Sequence, residues 1–515
     1  MKCPIHYFVA RPTLSKASTP TPRPRGHRFI GLLPGERDWA PFLTDMARTH
    51  GDVVSFKYLC QPACLVSNPE LMAEVLITRQ SAFSKSNVLQ ALLGSGPVTS
   101  EGELWRSERR LILQAFHSAC LPEYSRVAKR RTARALAEWK PGEARDVYRD
   151  MTALTVGVAA EAFFGAELGA ETEALLDALQ VTFDAFIVIA SQAFLVPSWI
   201  PTPNNLRFRR AVRTLHRIVY RIIQRRKLRP AAGGSGPRDL LAILLEAQQS
   251  ETTVTDQIVH DEVMTFLLGG HETTANALAW TYYLVGQHPD VQARMAAEAR
   301  GLPASEIPSF EDLPHLSYTE KVMRESLRLY PPGWYLTRKA IEDLELGGYR
   351  IPKGTTVVMN LWGLHRDVRY YPDPESFNPD RWTPEFTRSP PPLAYMPFGA
   401  GPRRCIGASF AQMEMLTVLT GMAQRFHWDL LPNQVVTPLS ATTLRPLEGV
   451  KVLLREREQE KRAAAFREPA GPAQCQSPAG CPSESDRNGR SSSRSGQSVK
   501  AGGALLNGPE WATMA

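Results

Sequence analysis

The chain has 515 residues, 43% hydrophobic and 22% charged, with a formal net charge of +8. That is an ordinary globular balance in a chain long enough for a large core, where length alone would suggest about three domains. The basic excess is not gathered into one run, so nucleic acid is not indicated, and a positive face for an acidic protein partner fits at least as well.

Residues 1–26 are polar and rich in proline, which predicts an extended lead-in. A short helix is expected over Trp39–Thr49, followed by paired strands over 52–56 and 63–66. Asn68-Pro69 then starts a helix running to about Ile77, with proline at its first position. Residues 83–100 lack periodicity and contain Gly94, Gly96 and Pro97, which reads as a long functional loop. A helix is expected from Glu101 to about Ala119, with Trp105 and Arg109 four apart on one face. Several amphipathic helices fill 121–250, with a polar linker at 231–237 that lacks the Lys-Ser/Thr of a phosphate loop.

The next helix is predicted from about Asp256 to Gln287, ended by Pro289. Its middle is apolar on nearly all sides, so it should be buried. Within it lies Gly269-Gly270-His271-Glu272-Thr273-Thr274. Two glycines cost about 1 kcal/mol each against alanine in a helix interior, and a buried carboxylate needs a partner. Such local penalties mark a site. Ser317-Tyr318-Thr319-Glu320 has the form of a capping box and opens a helix that stops at Pro331-Pro332. On it Glu325 and Arg328 share a face. Strands are expected over 341–349 and 355–359. His365 is either a core histidine or a ligand contact.

Near the C-terminus stands Phe398-Gly399-Ala400-Gly401-Pro402-Arg403-Arg404-Cys405-Ile406-Gly407, before an apolar, helix-prone run over 408–419. Gly401 and Gly407 allow close backbone approach and positive φ. Loop amides and Arg403 would favour a thiolate at Cys405. A lone thiolate in an apolar loop suits one axial position of a haem iron. The seven cysteines form no disulfide framework, zinc spacing or C-x-x-C-H, so haem would be held non-covalently. No run of 18 apolar residues predicts a transmembrane anchor, and the 5–10 run is too short for a signal peptide, which gives the expectation of a soluble, cytoplasmic protein.

Phe398, Gly401, Arg403, Cys405 and Gly407 resemble the haem-binding signature of the cytochrome P-450 family. The stretch 269–274 resembles that family's oxygen-activation motif, Glu325-x-x-Arg328 its Glu-x-x-Arg, and Arg381 the third member of that structural triad. The resemblance covers roughly 27–456 and implies one large, mainly α domain with a small β region, haem b buried between the long helix and the cysteine loop. It overrules the length prior and leaves 457–515 as a disordered low-complexity tail. It further implies that Cys405 ligates iron, that Trp105, Arg109 and Arg338 lie at the haem propionates, that Phe398, Gly401, Arg403 and Gly407 bind the cofactor from the cysteine loop, and that Glu272 and Thr273 serve oxygen activation. The implied reaction is a monooxygenation: one atom of O2 enters a C–H or C=C bond and two electrons come from a separate ferredoxin or flavodoxin. Arg106, Arg110 and Arg404 could form the docking patch. Substrate walls are expected from 85–98, Phe183, Phe186, Phe266, Gly269 and Trp334-Tyr335, which fits a hydrophobic guest: fatty acid, terpenoid, steroid or polyketide. A peroxide-driven or isomerising relative, or a haem sensor, would not need the Glu272–Thr273 pair.

Overall fold

The computed structural model describes residues 22, 38–58, 61–85, 93–192, 200–228, 239–250, 253–302 and 307–457, with backbone alone for 186–192. Most of the 1–26 lead-in, the 231–237 linker, residues 86–92 of the expected wall, the Phe186 side chain and the tail from 458 lie outside them.

The fold is mainly helical. Helix α1 (Trp39–His50) precedes strands β1 (Val53–Tyr58) and β2 (Gln61–Val66), which pair antiparallel. Helix α2 (Pro69–Ala73) is capped by Asn68 and runs into a wide turn, Glu74–Thr78. Strand β3 (Phe83–Ser84) follows. Helix α3 (Gly102–Leu113) is shorter than expected: the chain turns inward at Ala115 and Phe116, and Phe116 stacks on Phe266. Helices α4 (Leu121–Glu138), α5 (Val147–Phe164), α6 (Thr172–Gln192), α7 (Pro203–Leu228) and α8 (Leu240–Ser250) complete the first half, with strand β4 (Ala144–Asp146) before α5.

Helix α9 (Asp256–Gly286) has 31 residues and runs about 46 Å at 1.5 Å per residue. The Thr255 hydroxyl caps it by accepting from the Ile258 amide. It is buried along most of its length and packs on α5. Gly270 permits that approach: a Cβ there would sit 3.2 Å from Phe163 Cε2 and 3.4 Å from Ala159 Cβ.

Helices α10 (Pro289–Ala299) and α11 (Ser317–Leu329) follow. The expected capping box at Ser317 does not form. Glu298 of α10 instead accepts from the Tyr318 and Thr319 amides at 2.6 and 2.8 Å and from the Thr319 hydroxyl at 2.7 Å. Glu320 pairs with Arg324. A carboxylate from another helix does the work of the local cap, which sequence spacing cannot show.

The expected strand over 341–349 is also corrected. Strand β5 (Tyr335–Ala340) lies before it, and β6 (Leu344–Leu346) and β7 (Tyr349–Ile351) form a separate hairpin. Gly347 and Gly348, both at positive φ, make its turn. Strand β8 (Thr356–Asn360) joins β5 and β2, giving a five-stranded sheet in the order β1-β2-β8-β5-β3. Short helices α12 (Leu361–Leu364) and α13 (Pro384–Arg388) lead to α14 (Ala408–Arg425), packed on α4. Strands β9 (Phe426–Leu430), β10 (Pro438–Ser440), β11 (Leu444–Pro446) and β12 (Lys451–Glu456) close the described chain.

Glu325 is the centre of a buried network between α11 and the segment after α12. It accepts from Arg328 Nε and Nη2 at 2.9 and 2.8 Å, from Arg381 Nε at 2.8 Å, and from Trp382 Nε1 and the Asn378 amide at 3.0 Å. Arg328 also donates to the carbonyls of His365, Pro374 and Ser376. His365 is a core histidine. Its Nε2 accepts from the Met396 amide at 3.2 Å, and burial, with Arg328 and Arg366 nearby, pushes its pKa down to about 3.

Candidate active site

The cysteine loop is set by close packing. Gly401 lies at φ 70°, and a Cβ there would meet the Leu76 carbonyl oxygen at 2.2 Å, so the loop rests directly on the wide turn after α2. Gly399 also takes positive φ, whereas Gly407 does not, correcting the expectation for that residue. The Cys405 amide donates to the Phe398 carbonyl at 2.9 Å, which closes the loop. Phe398 is half-buried against the main core.

Cys405 is exposed, although its surroundings push the thiol pKa up by burial. The sulfur therefore faces an internal hollow. The Gly407 amide and the charges of Arg404, Arg109 and Lys85 work the other way without prevailing. The charges that act on the sulfur are thus those of Arg404, Arg109 and Lys85, with burial working against the thiolate. A bound metal cation would reverse that balance.

The middle of α9 carries the other half of the predicted site. Gly269 is exposed within an otherwise buried stretch, and a Cβ there would find nothing within 4 Å. The two glycines therefore differ in role, since Gly270 faces α5. One turn on from Gly269, the Thr273 hydroxyl donates to the Gly269 carbonyl at 3.1 Å. Glu272 points elsewhere. Its Oε1 accepts from the Thr443 hydroxyl at 2.8 Å, and Thr443 Oγ1 accepts from Asn276. Burial raises the Glu272 pKa to about 7, against the Thr443 hydrogen bond and the Arg445 charge. Arg445 in turn pairs with Asp184 on α6, which is 49% exposed. The motif sequence gave no sign of Thr443 and Arg445, which arrive from the far C-terminal hairpin.

Cations crowd the edge of the hollow. Arg403 lies 3.8 Å over the Trp105 ring and donates to the Ser100 carbonyl at 2.9 Å and to Glu101 at 2.6 Å. Arg109 donates to the Arg404 carbonyl at 3.2 Å, tying α3 to the cysteine loop. Arg338, on β5, has its pKa lowered to about 10 by burial and by Arg403. Lys85 is lowered to about 7 by burial and then by Arg338 and Arg403, with Glu101 opposing. Sequence reading missed Lys85. A lysine directly after a short strand carries no local mark, and its meaning comes from the arginines around it. Burial is the first cause of the lowered pKa at Lys85, Arg109, Arg338 and Arg403; repulsion among the cations adds to it at Lys85, Arg338 and Arg403, and Glu101 opposes it there.

A flat group with a central metal cation and two carboxylates would fit these features: the exposed sulfur, the open space at Gly269 and the gathered cations. Haem b is such a group. Among the described residues, no cluster of His, Cys, Asp and Glu could itself hold a metal ion.

The family pattern described as Cytochrome P450 matches residues 21–454. The chain belongs to the cytochrome P450 family. It is 35% identical to cyclooctatin synthase of Streptomyces melanosporofaciens, over 76% of this chain and 85% of that protein. Cyclooctat-9-en-7-ol 5-monooxygenase of the same organism is also 35% identical, over 82% of this chain and 93% of the relative. Pentalenene oxygenase of Streptomyces avermitilis is 32% identical, over 77% and 88%. Among solved structures, retinoic acid bound cyanobacterial CYP120A1 superposes with a TM-score of 0.76 at 27% identity, covering 86% of this chain and 100% of that one. The P450 is a haem-thiolate monooxygenase that takes electrons from a redox partner and acts on a hydrophobic substrate with O2. No described helix is long and apolar enough to cross a membrane.

Three of the expected wall residues pack in apolar clusters. Trp334 is buried in a separate apolar cluster with α1 and donates to the Ala441 carbonyl, and Tyr335 packs against it. Phe266 is buried between Phe116 and Phe163. Phe183 faces His271 on α9, whose pKa burial pushes down to about 4.

Proposed function

We propose that this P450 hydroxylates or epoxidises polycyclic terpenoids, with Cys405 as the axial ligand of the haem iron. The observation that carries the ligand assignment is the exposed Cys405 sulfur in its glycine-shaped loop, within reach of the charges of Arg404, Arg109 and Lys85. The substrate class rests on relatives whose names place them on cyclooctatin and pentalenene skeletons. Trp105, Arg109, Arg338 and Arg403, with Lys85 added, hold the two propionates. Phe398, Gly401 and Gly407 shape the loop around the sulfur. Glu325, Arg328 and Arg381 keep α11 and the following segment together beneath it. The haem domain is taken as 27–456, consistent with β12 ending at Glu456.

Bound haem supplies O2 binding and the oxidation itself. The side chains supply placement and protons. Thr273, released from the Gly269 carbonyl, can turn its hydroxyl toward the dioxygen as a hydrogen-bond donor. Glu272 lies about 100° around the helix from it, so it does not share that role. It takes protons from the side of Arg445 and Asp184, whose charges act on it and whose ion pair ends at an exposed carboxylate.

A cytoplasmic ferredoxin or flavodoxin is the proposed donor, docking where Arg106 and Arg110 are exposed on α3, with Arg404 in the adjoining loop. Arg106 already pairs with Glu103, which leaves Arg110 with more of the steering charge.

Pentalenene, cyclooctat-9-en-7-ol and retinoic acid, tested by the spin-state shift of the haem and by product analysis, discriminate among substrate classes. Binding of neither terpenoid would overturn the terpenoid reading. For the proton roles, Thr273→Ala should retain haem content and binding but divert reducing equivalents to hydrogen peroxide. Glu272→Gln should slow turnover by about 10²–10⁴-fold. In the parent, turnover should change through about pH 7, where Glu272 gives up its proton, and the variant should lose that inflection. An equally coupled Thr273→Ala would make the threonine structural.

A further inference from the structure

Residues 93–100 form a loop that spans the edge of the hollow, from the start of α9 to the cysteine loop. Thr99 folds it on itself: its hydroxyl donates to the Gly94 carbonyl at 2.6 Å and accepts from the Gly96 amide at 3.1 Å. The loop therefore moves as a unit, held at two ends. At one end the Ser100 carbonyl accepts from Arg403, and the Ser100 hydroxyl donates to Glu108 of α3. At the other, the Ser95 amide donates to Asp261 Oδ2 at 3.0 Å.

The Asp261 contact is close-built. Gly94 lies at φ 64°, and a Cβ on it would meet Asp261 Oδ2 at 2.2 Å. A Cβ on Gly96 would meet Thr265 Oγ1 at 2.5 Å. Behind Asp261 stands a chain of two imidazoles. Asp261 Oδ1 lies 3.0 Å from His260 Nδ1, and His260 Nε2 lies 2.9 Å from His216 Nδ1 on α7. A carboxylate at one end fixes the order of protons: His260 donates to Asp261, and His216 donates to His260. Gln257 donates to Asp261 as well, at 2.7 Å, and the Tyr220 ring packs on His260. His260 is buried and His216 half-buried, so the chain runs from the interior toward solvent.

We propose that Asp261, oriented by His260 and His216, is the positioning residue for the loop 93–100, and that this relay from α7 sets how tightly substrate is retained in the hollow. The retention half rests on the substrate reading above; the loop half does not. Substrate cannot leave along this edge while the Ser95–Asp261 contact holds.

The relay gives the contact a pH dependence. His216 is held below its ordinary pKa by burial and by His260, with Asp261 opposing. A proton taken up at His216 makes it the stronger donor along the relay and lessens the charge that Asp261 offers the Ser95 amide, so seating weakens as His216 is protonated on falling pH. Other groups face Asp261. Glu108 from α3 has its pKa raised to about 7 by burial, and Glu262 on α9 is raised well above the ordinary range by burial and by Glu108 and Asp261. These acids titrate on their own, so His216 must be isolated by substitution.

Two readouts on the haem-loaded protein test this: hydrogen exchange of 93–100, and affinity for cyclooctat-9-en-7-ol. Asp261→Asn should lose protection across the loop and bind roughly tenfold more weakly, the usual scale for a hydrogen bond to a charged group. Gly94→Ala, which leaves the relay intact and pushes the loop off it, should do the same and serves if the first variant folds poorly. His216→Gln keeps an N–H donor without the titration. It should match the parent at about pH 8 and escape the parent's loss of protection on going to about pH 5.5. Parental loop protection in both Asp261→Asn and Gly94→Ala would overturn the proposal, as would an unchanged acid response in His216→Gln. If the terpenoid fails to bind even the parent, the substrate reading falls while the exchange arm still decides the loop.

Discussion

Cys405→Ser is expected to abolish monooxygenation while leaving the chain folded. The hydrogen bond that closes the loop comes from the Cys405 backbone amide, which serine retains. The side chain faces the hollow and not the packed core. What is lost is the soft anionic donor whose electron push favours O–O cleavage. Product formation should drop below detection, and the thermal transition measured without haem should stay within the usual surface-substitution range of about 0.5 kcal/mol. Residual turnover comparable to the parent would contradict the ligand assignment.

Glu325→Ala is expected to have the opposite profile, a large loss of stability arising far from the sulfur. The carboxylate faces the guanidiniums of Arg328 and Arg381, and the Glu325 and Arg328 side chains are 0% exposed. Removing it leaves two cations with carbonyl partners only. Breaking a buried pair of this kind costs about 3–5 kcal/mol. Domains hold only about 5–15 kcal/mol in total, so the variant should unfold at much lower urea and purify with little haem. A change under about 1 kcal/mol would show that the surrounding carbonyls suffice.

Those two residues were legible in sequence because their chemistry is local. A cysteine in a glycine loop and an acid three residues before an arginine survive as short patterns. The long helix was legible for the same reason, its apolar run being continuous. What sequence could not show was chosen by distant partners. Gly270 and Gly269 look alike in the chain, yet one meets Phe163 of α5 and the other meets open space. The start of α11 carries a capping-box pattern, yet Glu298 from α10 caps it. Lys85 and Arg445 acquire meaning only when sequence-distant cations and acids gather round them. Strand limits over 341–349 failed because two glycines turn the chain inside the expected strand.

The central claim, that Cys405 presents a thiolate to haem iron, is tested most directly by the carbon monoxide spectrum of the reduced protein. The parent should show the red-shifted band of a thiolate-ligated haem, and Cys405→Ser should not. A parent spectrum of the histidine-ligated type, or a thiolate band that survives in Cys405→Ser, would contradict the account.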